Sequence, residues 1–327
     1  MSRLMGFVFA ACLLTSGTSA NVLAANPNWP KSLTLATASP GGVYYVYGDE
    51  LAKILTEKLG IPVNPLPTQG PVHNVKLLDS GGAQLGLITM GVGLQGWKGT
   101  GDWTGGKRYG NMRALFPMYD TAFQMAALRR SGISDAAQFD KKLVGIGPRA
   151  GTGGEYAPLI LKALGISAQI GNASWADTTA NLLSGQYGAV IMTGGVPFPA
   201  MKKAEAKEPL TLIALTPQQI ELIRKALPEL SVSTIPNGTY SSQDKDVVTI
   251  GVYNFAVGRA DLPDDLVYQL VKAVFASQPR LVKVTATASD TIPQNVVKDT
   301  FLPFHPGAAR YYREIGIKIP DSLAPTN

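Results

Sequence analysis

The amino-acid sequence predicts an α/β fold of two lobes, with two mostly parallel sheets joined by a hinge. Short apolar runs alternate with helical patterns along most of the chain, which is typical of open parallel sheets. The pattern restarts near residue 143, which indicates a second sheet. In each half the first strand leads into a glycine-rich loop, at 39–45 and at 147–154.

Apolar periodicity and turn residues place the individual elements. Gly165 and Gly185 are expected to end helices, and Ser174 to begin one. A glycine-rich surface loop is expected over 96–110. The predicted extended segments are 33–38, 62–66, 85–90, 113–119, 122–128, 143–146, 187–192, 210–215 and 247–257. The predicted helices run to Gly60, over 72–78, towards Trp97, and over 152–164, 174–183, 217–227, 263–276 and 306–315.

One β-branched run, 247–257, is longer than a single lobe needs. We therefore expect it to cross back between the lobes, with 119–125 as the outward crossing. Lobe 1 is then discontinuous and comprises residues 26–121 and 252–327. Lobe 2 comprises residues 122–251.

Residues 1–25 are predicted to be a signal peptide. Arg3 precedes an apolar run that is too short to span a bilayer, and small residues follow it. Cleavage is expected after Ala20 or Ala24, and export to a bacterial periplasm follows. Cys12 leaves a lipoprotein signal open as an alternative.

The composition excludes several classes of function. Cys12 is the only cysteine, so the exported chain is expected to lack disulfides and thiol chemistry. The net charge of +6 is scattered, which disfavours nucleic acid but suits small anions. No later segment predicts stable membrane insertion. The two histidines lie far apart, and no metal-binding, cofactor-binding or nucleophile motif surrounds them, so neither a metal, a cofactor nor catalysis is predicted.

The loop 39–45 is the first predicted anion cradle. Gly41 and Gly42 let the backbone approach a bound group, and the helix that follows directs its free N–H groups and positive dipole end towards it. Tyr44 and Tyr45 add flat walls and hydroxyls. A tight turn with core tyrosines is the structural alternative.

The loop 147–154 repeats this logic. Arg149 can hold a carboxylate with both arms of its guanidinium. Thr152 can cap the helix and donate to the ligand, while Gly151 and Gly153 expose the backbone. A solvent-facing arginine on a flexible loop is the alternative.

Two further strand ends in the first half offer polar or soft groups. Thr68, Gly70, His73 and Asn74 supply a hydroxyl, backbone, an imidazole and an amide at a helix start. Met90 follows the next strand. Helix capping and a core methionine are the alternatives.

In the second half, Trp175 can close over an apolar part of the ligand, although it can equally be a core residue. Gly195, Val196 and Pro197 lie at another strand end. Ligands of open α/β sheets bind outside the carboxyl ends of strands, so these groups are expected between the lobes. His305 is instead predicted to begin the last helix.

Taken together, these segments resemble the TAXI family of TRAP-transporter substrate-binding proteins. The resemblance is carried by 40–45, 70–74, 147–152, 185–197 and 305–316, and it covers essentially the whole exported chain. It implies a periplasmic receptor of type II-like periplasmic-binding-protein fold, which delivers an organic anion to the membrane permease subunits of a TRAP system. Acidic amino acids and dicarboxylates are the ligands that the family implies.

Some residues depart from the family pattern. The family usually has Pro-Gly-Ser-Gly-Thr where this chain has PRAGT at 148–152, so a hydroxyl is lost and a positive charge is gained. Pro71 stands where serine is frequent, and Trp175 where phenylalanine is frequent. These changes suit a ligand with an additional carboxylate, or one with an aromatic body stacked on Trp175.

Three alternatives stay open. The chain can be the receptor of an ABC or tripartite tricarboxylate system. It can be an exported enzyme on the same two-lobed fold. It can also be a sensor whose closed form signals to a membrane kinase.

Overall fold

The computed structural model describes residues 26–298 and 300–325. The predicted signal peptide, its cleavage sites and Cys12 lie outside the described residues. The strands are β1 (Leu33–Ala36), β2 (Val63–Leu66), β3 (Leu85–Thr89), β4 (Met112–Leu128), β5 (Leu143–Gly145), β6 (Gln169–Gly171), β7 (Ala189–Gly194), β8 (Leu210–Ile213), β9 (Ser231–Ile235) and β10 (Val247–Arg259). The α-helices are α1 (Val43–Leu59), α2 (Pro71–Ser80), α3 (Met90–Lys98), α4 (Thr152–Ala163), α5 (Trp175–Ser184), α6 (Pro199–Glu205), α7 (Pro217–Ala226), α8 (Asp264–Ala276), α9 (Gln278–Val284) and α10 (Pro306–Glu314).

Two parallel groups of strands form the two halves of the fold. In one half β1 pairs in parallel with β2 and β3, and in the other β5 pairs in parallel with β6 and β7. The strands β10 and β4 lie between the groups, so the hydrogen-bonded order is β2-β1-β3-β10-β4-β7-β5-β6. The mixed α/β, two-lobed fold predicted from the sequence is confirmed, and its two parallel groups are joined into one continuous sheet.

The strands β4 and β10 cross between the halves, as the sequence predicts. β4 is one strand of 17 residues rather than two extended segments. It pairs with β10 as far as Ala122, and with β7 and β8 beyond that residue. β10 pairs with β9 up to Gly251 and with β3 from Asn254 onwards. Pairing therefore changes close to the predicted lobe boundaries at 121 and 252, although the division of the chain at those residues stays a prediction.

Local signals set the helix ends. Gly60 and Gly185, which follow α1 and α5, adopt left-handed backbone conformations with φ of 70° and 81°. Ser174 caps α5 by accepting from the N–H of Asp177. His305 begins α10, because its Nδ1 accepts from the Gly307 N–H at 3.2 Å. These predicted starts and stops are confirmed.

The sequence analysis missed β6, β9, α6 and α9. Each is short, and β6 has only three residues, of which Gln169 and Ile170 are exposed. Their apolar periodicity is too brief to be detected. The predicted surface loop 96–110 also differs, because α3 extends to Lys98 and Trp103 packs at 5.2 Å from the Tyr109 ring.

Two clusters of buried apolar side chains form the core, and each includes residues of both halves. In the first half, the helices α1, α8 and α10 cover the sheet with large side chains that are fully buried, among them Tyr47, Leu55, Phe255, Phe304 and Tyr312. In the second half, α4 and α7 cover it, with Phe139, Val144, Tyr156, Ile160 and Ile223 buried.

Asn74 is a fully buried polar residue that ties three segments of the first half together. Its Nδ2 donates to the carbonyls of Thr37 at 2.8 Å and Leu87 at 2.7 Å. Its Oδ1 accepts from the Thr68 hydroxyl at 2.7 Å. Both side chains are therefore engaged inside the protein.

We expect Asn74→Ala to lower the free energy of unfolding by about 2–4 kcal/mol, because the buried carbonyls of Thr37 and Leu87 lose the hydrogen bonds from its amide and the Thr68 hydroxyl keeps only the Thr37 carbonyl as acceptor. Chemical denaturation measures this. Asn64→Ala, an exposed asparagine on β2, is the matched control and should change it by less than about 0.5 kcal/mol. A stable Asn74→Ala protein that has lost ligand affinity would instead support the predicted ligand contact.

Candidate functional site

A cavity lies between the two halves, at the carboxyl ends of their parallel strands. Its volume is about 40 Å³. A space of this size holds a few water molecules, whereas organic ligands occupy several hundred Å³. It is lined by Ala38, Gly42, Val43, Tyr44, Pro71, Tyr119, Thr121, Thr152, Trp175, Thr193, Gly194 and Phe198.

Four helices from both halves begin at this cavity. The first residues of α1, α2, α4 and α5 all belong to its lining. The residues that precede α1 and α4 are Gly42 and Gly151, and neither helix has a side-chain cap. Their first-turn N–H groups, with the positive ends of the helix dipoles, are thus directed towards a shared hollow, which favours an anion there.

Trp175 packs between the two glycine-rich loops. A Cβ built on Gly42 would lie 3.3 Å from the Trp175 Nε1, and one built on Gly147 would lie 2.3 Å from its ring. The indole is 5 % exposed and meets the Phe198 ring edge-on at 5.0 Å. Only a residue without a side chain leaves room for the indole at 147.

The backbones of the two halves also touch directly. A Cβ built on Gly70 would lie 2.9 Å from the Cα of Gly151. The Val72 N–H donates to the Ala150 carbonyl at 3.1 Å. The structure therefore brings the two glycine loops and the start of α2 together, as the sequence analysis expected.

The hydroxyls of the cavity are not equally engaged. Tyr44 and Thr121 both donate to the Oδ1 of buried Asn254. The Thr152 hydroxyl lies 3.2 Å from that of Thr89, across the two halves. Tyr119 is fully buried, and within the described residues its hydroxyl has no hydrogen-bond partner. The sequence analysis placed Tyr119 on a crossing strand but not in the ligand site. The only feature of the sequence that could have indicated a site role is a tyrosine at the point where that strand crosses between the lobes.

Among the predicted ligand contacts, Gly42, Tyr44, Thr152 and Trp175 line the cavity. Others lie close behind it: Met90 begins α3 in the core, and a Cβ on Gly153 would meet the Ile146 carbonyl. Tyr45 is 36 % exposed, and His73 is half-buried.

Arg149 lies beside the cavity rather than in it. It is exposed, and it lines a second pocket of about 370 Å³, formed by the same loops. We name this the outer pocket; its lining is Ser39, Gln69, Pro148, Arg149, Asn172, Ala173 and Ser174. The Ser39 hydroxyl is buried, with no partner within the described ranges.

Val196 and Pro197 line a different pocket, together with Asp120 and Asp290. Gly195 packs there as well, since a Cβ on it would lie 2.7 Å from Thr287. The end of β7, which precedes them, lines the cavity through Thr193 and Gly194. The three predicted contacts at 195–197 therefore lie outside the cavity lining.

Comparison with known proteins places this geometry in a family. The model of a family described as NMT1-like matches residues 35–316. The chain belongs to that family. Among solved structures it is similar to the periplasmic binding protein BugD, with a TM-score of 0.57 and 13% identity over 90% of this chain and 99% of that chain.

Two further structures have the same fold. The alkanesulfonate-binding protein SsuA from Xanthomonas axonopodis pv. citri, bound to MOPS, matches with a TM-score of 0.50 and 13% identity, over 87% of this chain and 84% of that one. PhnD1 from Prochlorococcus marinus (MIT 9301), in complex with methylphosphonate, matches with a TM-score of 0.50 and 14% identity, over 80% of this chain and 92% of that chain. At these identities the likeness shows the periplasmic-binding-protein fold.

None of the helices in residues 26–298 and 300–325 has both the length and the apolar composition that crossing a bilayer requires. The same residues contain no group of three or more His, Cys, Asp or Glu side chains that could hold a metal ion.

One acidic residue of the interface has a perturbed pKa. Glu155 lies in the first turn of α4, and burial together with the negative charge of Asp102 raises its pKa to about 7, against the opposing effect of Lys76. Tyr156, its neighbour, donates to Glu229 at 2.9 Å. Asp102 and Lys76 belong to the first half of the fold, so the pKa of Glu155 depends on the contact between the halves.

We expect Tyr119→Phe to leave the free energy of unfolding unchanged or to raise it by about 1–2 kcal/mol, because it removes a buried hydroxyl without a partner. Tyr44→Phe is the matched control and should lower it by about 1 kcal/mol, because it takes a donor from Asn254. Denaturation of both variants measures the difference. Equal destabilisation would indicate an internal partner for the Tyr119 hydroxyl.

We also expect Glu155 to make stability fall as pH rises from 4.5 to about 7. The folded protein binds a proton over this range that the unfolded chain has released, so the slope of the free energy of unfolding against pH is negative. Glu155→Gln should remove this contribution, while Glu221→Gln, at an exposed position of α7, serves as the control. Parallel pH profiles of Glu155→Gln and the parent protein would contradict the assignment.

Proposed function

We propose that this protein is a periplasmic receptor that captures a small organic carboxylate and delivers it to a TRAP-type membrane permease. One observation carries the proposal: the N-termini of helices from both halves line a single cavity. Such termini supply fixed donors and positive potential to an anion, without any side chain having to be charged.

The comparisons support a binding role on this fold. The SsuA structure is bound to MOPS and the PhnD1 structure to methylphosphonate, and both ligands carry an acidic oxyanion group. The predicted signal peptide supports a periplasmic location. The resemblance to the TAXI family supports the TRAP partner, and neighbouring genes for an ion-driven permease or for an ATPase would separate TRAP from ABC transport.

The proposed mechanism is closure of the lobes around the ligand. The cavity of about 40 Å³ is too small for an organic acid, so the halves must separate for one to enter. The lobes 26–121 with 252–327 and 122–251 would move about β4 and β10. A ligand that bridges α1 and α4 favours a closed arrangement whose cavity is enlarged to fit it over an open one, and this difference shifts the equilibrium.

The ligand panel is the first test. Protein unfolded, stripped of ligand and refolded is screened by thermal denaturation against monocarboxylates, dicarboxylates and amino acids. We expect at least one acid to raise the melting temperature in proportion to its occupancy. A folded protein that responds to no acid would refute the proposal, and conversion of a bound acid, detected by mass analysis, would favour the enzyme alternative.

Arg149 provides a residue-level test. Its guanidinium lies on the outer pocket, where it can reach a second carboxylate of the ligand. We expect Arg149→Ala to weaken binding of the best acid by about 1.5–3 kcal/mol, as for one charge-assisted hydrogen-bonded pair. Calorimetric titration measures this.

Arg108→Ala, at an exposed position outside both pockets, is the matched control and should keep the parent affinity. Equal affinities of the Arg149→Ala and Arg108→Ala proteins would remove Arg149 from the site, while leaving the cavity and its helix N-termini as the binding region.

A further inference from the structure

We infer that the ligand is an acid without an ammonium group, such as an oxo, hydroxy or unsubstituted carboxylic acid, rather than an amino acid. This inference rests on the proposed function and narrows the ligand class of the same site. The lining of the two adjoining pockets carries it.

The described lining of the cavity offers no carboxylate to a positive charge. Of the described residues that line it, none has a formally charged side chain. The helix N-termini present N–H groups and positive potential, both of which repel an ammonium group. An ammonium group buried there would lose its hydration without gaining an anionic partner, which is costly.

The outer pocket is no more favourable to a cation. Among the described residues that line it, Arg149 alone has a charged side chain, and it would repel an ammonium group. Asp177, in the first turn of α5, does not line the outer pocket but is hydrogen-bonded to a residue that does, because it accepts from the Ser174 hydroxyl at 2.7 Å. That bond and the helix terminus already engage the carboxylate.

The groups that are free to act suit a neutral or anionic oxygen. Tyr119 is 0% exposed, lines the cavity, and has no partner for its hydroxyl among the described residues. Ser39 lines the outer pocket, and its hydroxyl is likewise buried without a partner among the described residues. Each hydroxyl can donate its proton to a carboxylate or an oxo oxygen of the ligand. An ammonium group can only donate to the hydroxyl, which leaves the hydroxyl proton without an acceptor.

The test compares acids in matched pairs: succinate with aspartate, glutarate with glutamate, pyruvate with alanine, and phenylpyruvate with phenylalanine. Calorimetric titration of the ligand-stripped, full exported chain gives each dissociation constant. In at least one pair we expect the acid without nitrogen to bind, and its amino counterpart to bind roughly 100-fold more weakly or not at all.

Tyr119→Phe adds a residue-level readout. It should weaken binding of the preferred acid about 10- to 100-fold, as expected for a hydrogen bond to a charged group. Tyr47→Phe is the control, since the Tyr47 hydroxyl contacts Thr291 and lies outside the cavity lining. Equal affinities of the two variants would overturn the role given to Tyr119.

The outcomes separate the two proposals. An amino acid that binds as tightly as its counterpart overturns the inference and leaves the receptor function standing. The same holds if an amino acid is identified by mass spectrometry as the ligand that purifies with the protein. If no acid of either kind binds to the folded protein, the receptor function fails, and the ligand class fails with it.

Discussion

The antiparallel pairing of β4 with β10 is the constraint on which the rest of the structure depends. Both strands run through the two halves, and the parallel groups β2-β1-β3 and β7-β5-β6 attach to their outer edges. Because β3 and β7 are each antiparallel to the strand beside them, the carboxyl ends of the two groups face one another. The loops that follow those ends have to meet in the middle of the molecule.

This meeting explains why the candidate site consists of backbone rather than charged side chains. Four helices start where the loops meet, and glycines at 42, 70, 147 and 151 allow the chains to approach within contact distance. Helix termini supply positive potential that does not titrate and has no rotamers to order on binding. Selectivity is then left to the shape of the cavity, to Trp175 and to the hydroxyls.

Signals that act within one element were predictable from the sequence. The capping residues Ser174 and Gly185, the glycine loops and the long strand 247–257 all depend on local backbone chemistry. The orientation of a side chain towards the cavity depends on how the halves pack. Thr68 and Asn74 turn inwards to bond with each other, and Arg149 reaches the outer pocket.

Residues at the contact between the halves carry the least local signal. Tyr119 sits in a run of apolar residues whose pattern indicates only a buried strand. In the sequence Glu155 is an ordinary acidic residue in the first turn of a helix, a position where a negative charge interacts favourably with the helix dipole. Its raised pKa arises from burial and from Asp102, which lies more than fifty positions earlier in the sequence, so only the folded arrangement shows it.

The strand pairing also indicates where the chain would bend if the halves separated. Pairing changes at Ala122 on β4 and at Gly251 on β10, which are opposite one another in register. A Cβ built on Gly251 would lie 2.5 Å from the Asp120 carboxylate, which also accepts from the Ser233 hydroxyl. A side chain at 251 would therefore displace the Asp120 carboxylate or Ser233, at the point where the strands exchange partners. β4 pairs with β10 before this point and with β7 and β8 after it, while β10 pairs with β9 before it and with β3 after it. A bend there is therefore the movement that we propose for separation of the halves.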